Sequence, residues 1–142
     1  MKRMKNTETR QRGGSSAKSG LKQWPCRIEL VPSEAPYLEG ASLLISAACA
    51  AFAHPVFHNE FMRDRISLVC CPRTSGDFTD KLCEILTKNR IEDILVVRME
   101  VGCCERTEAC VREALKRSGE GIPARVVTLS TDGKIIKESI LN

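Results

Sequence analysis

The sequence predicts an α/β fold built on an open, mostly parallel sheet with flanking helices. Short apolar runs that suit buried strands recur along the chain. Two segments between these runs carry apolar residues at the spacing of one helical face. Strands and helices therefore alternate, which is typical of parallel sheets whose connections cross over the faces.

Four apolar runs are the predicted strands. Residues 43–48 and 66–70 are compact enough to be buried on both faces of a sheet. Residues 93–99 and 125–130 are the third and fourth strands. Asp132 and Gly133 predict a turn that folds the following apolar residues back beside the fourth strand. A short extended run is also expected at residues 26–31, before the first strand.

Two helices are predicted in the second half of the chain. The first is expected to end near Asn89 and the second at Gly119, because glycine readily adopts the left-handed conformation that ends many helices. The apolar faces comprise Phe78, Leu82, Ile85 and Leu86 in the first helix and Val111, Ala114 and Leu115 in the second. With the strands, these helices predict a Rossmann-like, three-layer domain.

A change in composition separates a basic leader from the predicted domain. Residues 1–23 carry seven basic side chains and one acidic side chain, whereas the rest of the chain is nearly neutral. The glycines and serines at residues 13–16 are typical of a flexible linker. We therefore expect a flexible, disordered leader at residues 1–23 and one cysteine-rich α/β domain at residues 24–142.

Composition argues against two classes of partner. Aromatic residues make up 4% of the chain, too few for a stacking platform that binds single-stranded nucleic acid. The longest apolar run, residues 43–53, is far shorter than the ~18 residues of a membrane span.

The basic start is followed by polar residues rather than the apolar stretch of a secretory signal. We expect a cytoplasmic protein.

Eight cysteines are the most informative feature of the composition. In a reducing compartment, thiols serve metals, clusters or redox chemistry more often than structural disulfides. Cys49 follows the first predicted strand, Cys70 and Cys71 end the second, and Cys103 and Cys104 follow the third. Because the carboxyl ends of parallel strands line the ligand crevice of an open α/β sheet, these thiols are expected at one edge. The other three, which are expected to be small buried hydrophobes, are Cys26, Cys83 and Cys110.

Several chemistries suit thiols at a sheet edge. An iron–sulfur cluster takes up to four cysteinate ligands, and Cys103 and Cys104 precede a helix N-terminus that favours negative charge. Successive residues of a strand point to opposite faces, so we expect only one of Cys70 and Cys71 to reach the crevice. No Cys-x-x-Cys pair occurs, so spacing alone leaves a zinc site and a reactive thiolate open as well.

Two histidines follow Cys49 and are candidates for the same site. His54 and His58 flank Pro55, and either side chain could hydrogen-bond a sulfur atom, bind a metal or carry a proton. For His54 we favour a packed or surface position in a loop. Glu100 precedes the turn at Cys103 and is expected to be a structural residue at a strand end rather than a general base.

A series of short motifs runs from residue 21 to Cys104. The motifs are Leu21-Lys22-Gln23-Trp24-Pro25, Cys49, Phe57-His58, Cys71-Pro72, Met99-Glu100-Val101 and Cys103-Cys104. In order and spacing they resemble the C-terminal domain of bacterial and archaeal ferredoxin-type 4Fe-4S iron–sulfur proteins. The repeated cysteine motifs of that family's ferredoxin head do not occur in this sequence.

The resemblance implies a set of ligands. Cys49, Cys71, Cys103 and Cys104 match the family's pattern and would bind one iron–sulfur cluster, of the 4Fe-4S type. His58 matches the pattern as well, and it is a further candidate of lower rank. Cys70 stands where the family commonly has glycine, and we rank it below the four cysteines as a spare thiol.

The leading hypothesis is an iron–sulfur protein that acts in electron transfer or redox sensing and has no catalytic residue of its own. Its partner would be a redox protein such as a ferredoxin or an oxidoreductase. The alternative is a metal-free or zinc-bound domain that binds such a partner. A third hypothesis is an enzyme whose nucleophile is Cys103 or Cys104, activated by the helix N-terminus.

Overall fold

A five-stranded sheet forms the centre of the protein. The structure, a computed structural model, describes residues 17–142. The strands are β1 (Ala41–Ala47), β2 (Ile66–Cys70), β3 (Ile91–Met99), β4 (Ala124–Leu129) and β5 (Ile135–Ile140). Their order is β2-β1-β3-β4-β5, with β1 to β4 parallel and β5 antiparallel to β4. The predicted fold class, an open and mostly parallel sheet with flanking helices, is confirmed.

Two long helices and several short helical segments connect the strands. The helices are α1 (Ala50–Ala53), α2 (Pro72–Ser75), α3 (Thr79–Lys88) and α4 (Glu105–Ser118). A π-helical segment spans His58–Met62, and a 3-10 turn spans Gly102–Cys104. Both predicted helices are present, and α4 ends at Gly119, whose φ of 65° is left-handed. None of the helices within residues 17–142 is long and apolar enough to cross a membrane.

Strands β1 to β4 are largely buried on both faces, because their successive apolar side chains point alternately to the two faces, whereas β5 is exposed. Leu43 and Ile45 of β1 pack into the core beneath α3 and α4. Leu44, the residue between them, packs on the opposite face, where Phe57 and Phe61 lie. Three layers result, with the two long helices on one face and the segment between β1 and β2 on the other.

The chain reverses direction across the sheet at β1. From β1 it runs outward to β2 and then passes back beyond β1 to β3, so β1 is flanked by both. Ala47 at the end of β1 pairs with Cys70 at the end of β2. The segments that leave β1 and β3 therefore diverge to opposite faces. A crevice between diverging segments at the carboxyl ends of the strands is where open α/β sheets bind ligands.

Residues 21 and 23 contact the domain from within the segment that the sequence assigns to the leader. Gln23 is buried, and its side chain donates to the backbone oxygen of Ser67 at 2.6 Å and accepts from the backbone nitrogen of Ser67 at 3.3 Å. Leu21 packs against the core on the α1 face. The segment before residue 24 thus contributes hydrogen bonds to β2 and an apolar contact on the α1 face. Residues 1–16 of the predicted leader lie outside the described residues.

The run at residues 26–31 is a turn rather than a strand. Arg27 forms a single parallel bridge with Val69 of β2. The backbone nitrogen of Val31 then donates back to the oxygen of Arg27 at 3.1 Å. The extended prediction was wrong here because two prolines follow and the apolar residues Ile28 and Val31 reach the core from a turn.

Candidate functional site

The carboxyl ends of three adjacent strands, β2, β1 and β3, carry the cysteines singled out by the sequence. Cys49 is exposed and immediately precedes α1. Cys71 is half-buried between β2 and α2. Cys103 is half-buried and Cys104 is buried, and both lie in the turn that leads from β3 into α4. The four thiols at this edge therefore range from exposed Cys49 to buried Cys104.

The thiols share an edge without forming a ready-made metal site. Cys103 and Cys104 are neighbours in the Gly102–Cys104 turn, and α2, which follows Cys71, contacts that turn. Within residues 17–142, no group of three or more His, Cys, Asp and Glu side chains is arranged to hold a metal ion.

Cys71 lies in surroundings that favour its thiolate. Burial opposes ionisation, but the backbone N–H groups of Arg73 and Thr74, the Thr74 hydroxyl and the Arg27 guanidinium lower the pKa of Cys71. The same segment is fixed by the backbone nitrogen of Cys71, which donates to Ser75 Oγ at 3.3 Å. A stabilised thiolate is the form that binds metals and reacts as a nucleophile.

Cys70 and Cys104 lie in surroundings that favour the neutral thiol. Burial raises the pKa of Cys70 to about 12, and its Sγ donates to the oxygen of Ser46 at 3.6 Å. Burial, together with the neighbouring Cys103, also raises the pKa of Cys104. Cys70 therefore belongs to the core and only Cys71 of this pair faces the edge. For the hypothesis of a reactive thiolate, these surroundings favour Cys71 over Cys104.

Two arginines lie near the thiols at the edge. The guanidinium of Arg98 favours the thiolate of Cys104, although burial outweighs it. Arg98 is itself 14% exposed and pairs with Glu108 at 3.2 Å. Arg27, which favours the Cys71 thiolate, pairs with Glu29 at 2.7 Å. Each of two predicted ligands, Cys71 and Cys104, thus has an arginine nearby. A positive charge at this position stabilises negative charge on the sulfur atoms.

The two histidines have different hydrogen bonds. His54 Nδ1 lies 2.8 Å from the oxygen of Gly133 and must donate, because a carbonyl only accepts; its Nε2 is buried without a partner. His58 Nδ1 instead accepts from the backbone nitrogen of Gly20 at 2.9 Å. A cleft of about 700 Å³ between residues 17–19 and 51–59 is lined by both rings. His54 is therefore the histidine whose free lone pair suits a ligand, a role for which the sequence favours His58.

Thr107 is a residue of this region that sequence reasoning missed. It is completely buried in the first turn of α4, and its hydroxyl lies beside the thiol of Cys70, whose thiolate it favours. The available signal was its spacing, because residues three apart share a helical face and Thr107 follows Cys104 by three. Glu100, in contrast, has the structural role expected: its carboxylate accepts from the backbone nitrogen of Thr131 at 2.8 Å.

The side chains at the edge are of the chemical type that binds an iron–sulfur cluster or a zinc ion. Thiolates are the preferred ligands of both, and four cysteines lie at the ends of the three adjacent strands. The four residues that would hold the group are Cys49, Cys71, Cys103 and Cys104.

Comparison with known proteins identifies the domain. A family model described as a Rossmann-like domain matches residues 35–142, which is most of the chain. The chain belongs to this family. An uncharacterized protein of Archaeoglobus fulgidus is 24% identical to this Rossmann-like domain protein over 115 residues, which cover 81% of this chain and 82% of the relative. No solved structure matches the chain.

Proposed function

We propose that this Rossmann-like domain binds one iron–sulfur cluster, of the 4Fe-4S type, through Cys49, Cys71, Cys103 and Cys104. In this role the protein transfers electrons or senses redox state together with a separate redox protein, such as a ferredoxin or an oxidoreductase. The observation that carries the proposal is the delivery of four thiols to the carboxyl edge by three adjacent parallel strands. The resemblance to ferredoxin-type iron–sulfur proteins concerns the same four residues.

The surroundings of the thiols support this role. A bound cluster supplies one-electron chemistry and carries negative charge. Arg27 and Arg98 would offset that charge, since each already favours the thiolate of a neighbouring cysteine. Buried Cys104 would hold the inner side of the group away from water, while Cys49 would face solvent.

The state of the cysteines supports a reducing compartment. All eight are free in the described residues, and Cys70, Cys104 and Cys110 are buried. Free cysteines at this density persist where glutathione and thioredoxin keep thiols reduced. We therefore place the protein in the cytoplasm as part of the proposal.

The second candidate is a zinc-bound or metal-free domain that binds a redox partner. Exposed apolar side chains on the segments that carry Cys49 and Cys103 favour it. Phe52 in α1 is 94% exposed, and Val56 and Val101 are also exposed. Large exposed apolar side chains on neighbouring segments often mark a protein interface. This candidate differs from the first in metal content.

The test is the iron, acid-labile sulfide and zinc content of the full chain purified without oxygen. We expect iron and sulfide near four each per chain, with broad absorbance near ~400 nm that bleaches on reduction. Zinc without iron supports the zinc-bound candidate. Protein without metal, after anaerobic reconstitution with iron and sulfide, contradicts the proposed cluster.

Single serine variants test the ligand assignment. Cys49→Ser, Cys71→Ser, Cys103→Ser and Cys104→Ser should each lose or convert the cluster. Cys83→Ser is the matched control, because Cys83 is a half-buried thiol on α3 that packs against the α3/α4 core. Equal loss in the control and in the four variants would contradict the assignment.

A further inference from the structure

The cleft of about 700 Å³ lies between residues 17–19 and residues 51–59, on the face of the sheet opposite the long helices. Its volume is typical of pockets that bind small molecules. A second cleft of about 340 Å³ adjoins it, and the two share the lining residues Lys18, Ser19, His58 and Asn59. None of the four candidate cysteine ligands lines either cleft.

Long-range contacts hold the walls of the larger cleft in place. The backbone nitrogen of Gly20 donates to Nδ1 of His58 at 2.9 Å, which keeps residues 17–19 beside the opposite wall. Gly20 lies so close to this wall that an added Cβ would be 3.0 Å from the backbone oxygen of His58. The ring of His54, which also lines the cleft, is held by its hydrogen bond to Gly133. The cleft is therefore part of the tertiary structure.

One part of the larger cleft is apolar. Its lining residues there are Ala51, Pro55, Val56 and Phe57. Phe57 is 5% exposed and packs in the core, whereas Val56 is 53% exposed and available to a ligand. Covering this surface removes apolar area from water, so it favours a ligand with an apolar body.

The residues that the two clefts share can donate hydrogen bonds. Nδ1 of His58 accepts from Gly20, so the proton of a neutral ring lies on Nε2, which is then a donor. The Ser19 hydroxyl accepts from the backbone nitrogen of Leu21 at 3.1 Å, and its own proton can be donated. Lys18 adds an exposed ammonium group.

The same end of the cleft has an excess of positive charge. The smaller cleft is lined by Lys22 and Arg63 as well as Lys18, and Asp64 is the acidic residue among its lining residues. Nη2 of Arg63 donates to Oδ1 of Asn59 at 2.6 Å, which orients the guanidinium at the boundary of the two clefts. Donors combined with positive charge favour a carboxylate or phosphate group.

We propose that the larger cleft binds a small amphipathic anion. Its carboxylate or phosphate group lies among Lys18, Ser19 and His58, and its apolar body lies against Val56 and Phe57. This site is separate from the proposed cluster and does not depend on it.

Octanoate is the probe for this site, because it joins a carboxylate to an apolar chain. Octan-1-ol has the same chain without the charge, and inorganic phosphate has the charge without the chain. Each is titrated into the isotope-labelled full chain, and backbone NMR shifts give the site and the dissociation constant. We expect octanoate to shift the signals of residues 17–22 and 51–59 and to bind more tightly than either of the other compounds.

Paired substitutions test the role of the positive charge. Lys18→Gln combined with Arg63→Gln removes two charges from the polar end of the cleft. Lys88→Gln combined with Lys116→Gln is the matched control, since both lysines are exposed on the long helices at the other face of the sheet. We expect the first variant to bind octanoate at least about fivefold more weakly and the control to bind it as the wild type does.

Several outcomes would overturn the proposal. Octanoate that causes no shifts at millimolar concentration shows that the cleft does not bind this class of ligand, and shifts confined to other residues show that the site lies elsewhere. Equal affinity for octanoate and octan-1-ol, or equal loss in the two paired variants, contradicts recognition of an anion. The proposed cluster is tested separately, by metal content.

Discussion

His54 Nδ1 donates a hydrogen bond of 2.8 Å to the backbone oxygen of Gly133, and this contact joins the end of α1 to the turn between β4 and β5. The two residues are distant in sequence but share the face of the sheet opposite the long helices. The ring of His54 also packs on Phe61, with ring centroids 5.0 Å apart. The turn between β4 and β5 thus restrains the segment that carries Cys49 through this hydrogen bond.

Gly133 is the residue that permits this contact, and Gly133→Ala should be strongly destabilising. Its φ of 93° is unfavourable for other residues, and an added Cβ would overlap the carbonyl group of Ala53. We expect a loss of about 3 kcal/mol or more, combining backbone strain with displacement of the turn. Denaturant unfolding measures it. Gly121→Ala is the control, since φ is 68° there and the space is open, and it should cost about 1 kcal/mol. Equal losses would contradict the role of the Ala53 contact.

Gln23→Ala should destabilise the protein by about 1–3 kcal/mol. The side-chain amide of Gln23 bonds both backbone groups of Ser67, and its loss leaves buried groups unpaired. Lys22→Ala is the control; Lys22 is exposed, and its replacement should change the free energy of unfolding by less than about 0.5 kcal/mol. Thermal or chemical denaturation measures both. If the two variants matched, residues 20–23 would not contribute to the fold.

Cys71 in the metal-free chain should react with iodoacetamide at lower pH than an ordinary thiol does. Its pKa is lowered, so the reactive thiolate is populated below the usual titration range. Arg27→Gln removes a charge that favours this thiolate and should move the midpoint of the pH profile upward. Mass spectrometry of the Cys71 peptide over a pH series measures the midpoint. An unchanged midpoint in the variant would show that Arg27 has no influence on the thiol.

The metal-free chain should lose stability between about pH 9 and pH 12 because of Cys70. Burial raises the pKa of Cys70 to about 12 in the folded state, so at alkaline pH only the unfolded chain gives up the proton. This difference lowers the free energy of unfolding by up to about 4 kcal/mol as pH rises. Cys70→Ala should show a shallower decline in denaturant unfolding at pH 8 and pH 10.5. Identical declines would contradict a buried, neutral Cys70.

The sheet and the long helices could be predicted because their signals are local and repeated. The strand predicted at residues 66–70 and the α3 face from Leu82 to Leu86 depend on apolar periodicity, which also determines burial. The turn at residues 27–31 was missed because an apolar pair reaches the core there without a strand. The role of Gln23 was missed for a related reason, since a polar side chain that bonds the backbone of Ser67 leaves no periodic signal.

Only part of the candidate site could be predicted. The order of strands and cysteines predicts which thiols reach the carboxyl edge, and it separates Cys70 from Cys71 by alternation. The contrast between His54 and His58 depends on their partners Gly133 and Gly20, which are far away in sequence.

The thiols at the edge differ in their exposure to solvent, so they should also differ in their reactivity toward dissolved oxidants. Cys49 is exposed, whereas Cys104 is 4% exposed. Peroxide dissolved in water reaches the outer sulfur first, and oxidation of a cysteine proceeds from sulfenic acid to forms that cannot be reversed. Of these two thiols, oxidative damage should therefore begin at Cys49, which immediately precedes α1, while Cys104 stays intact.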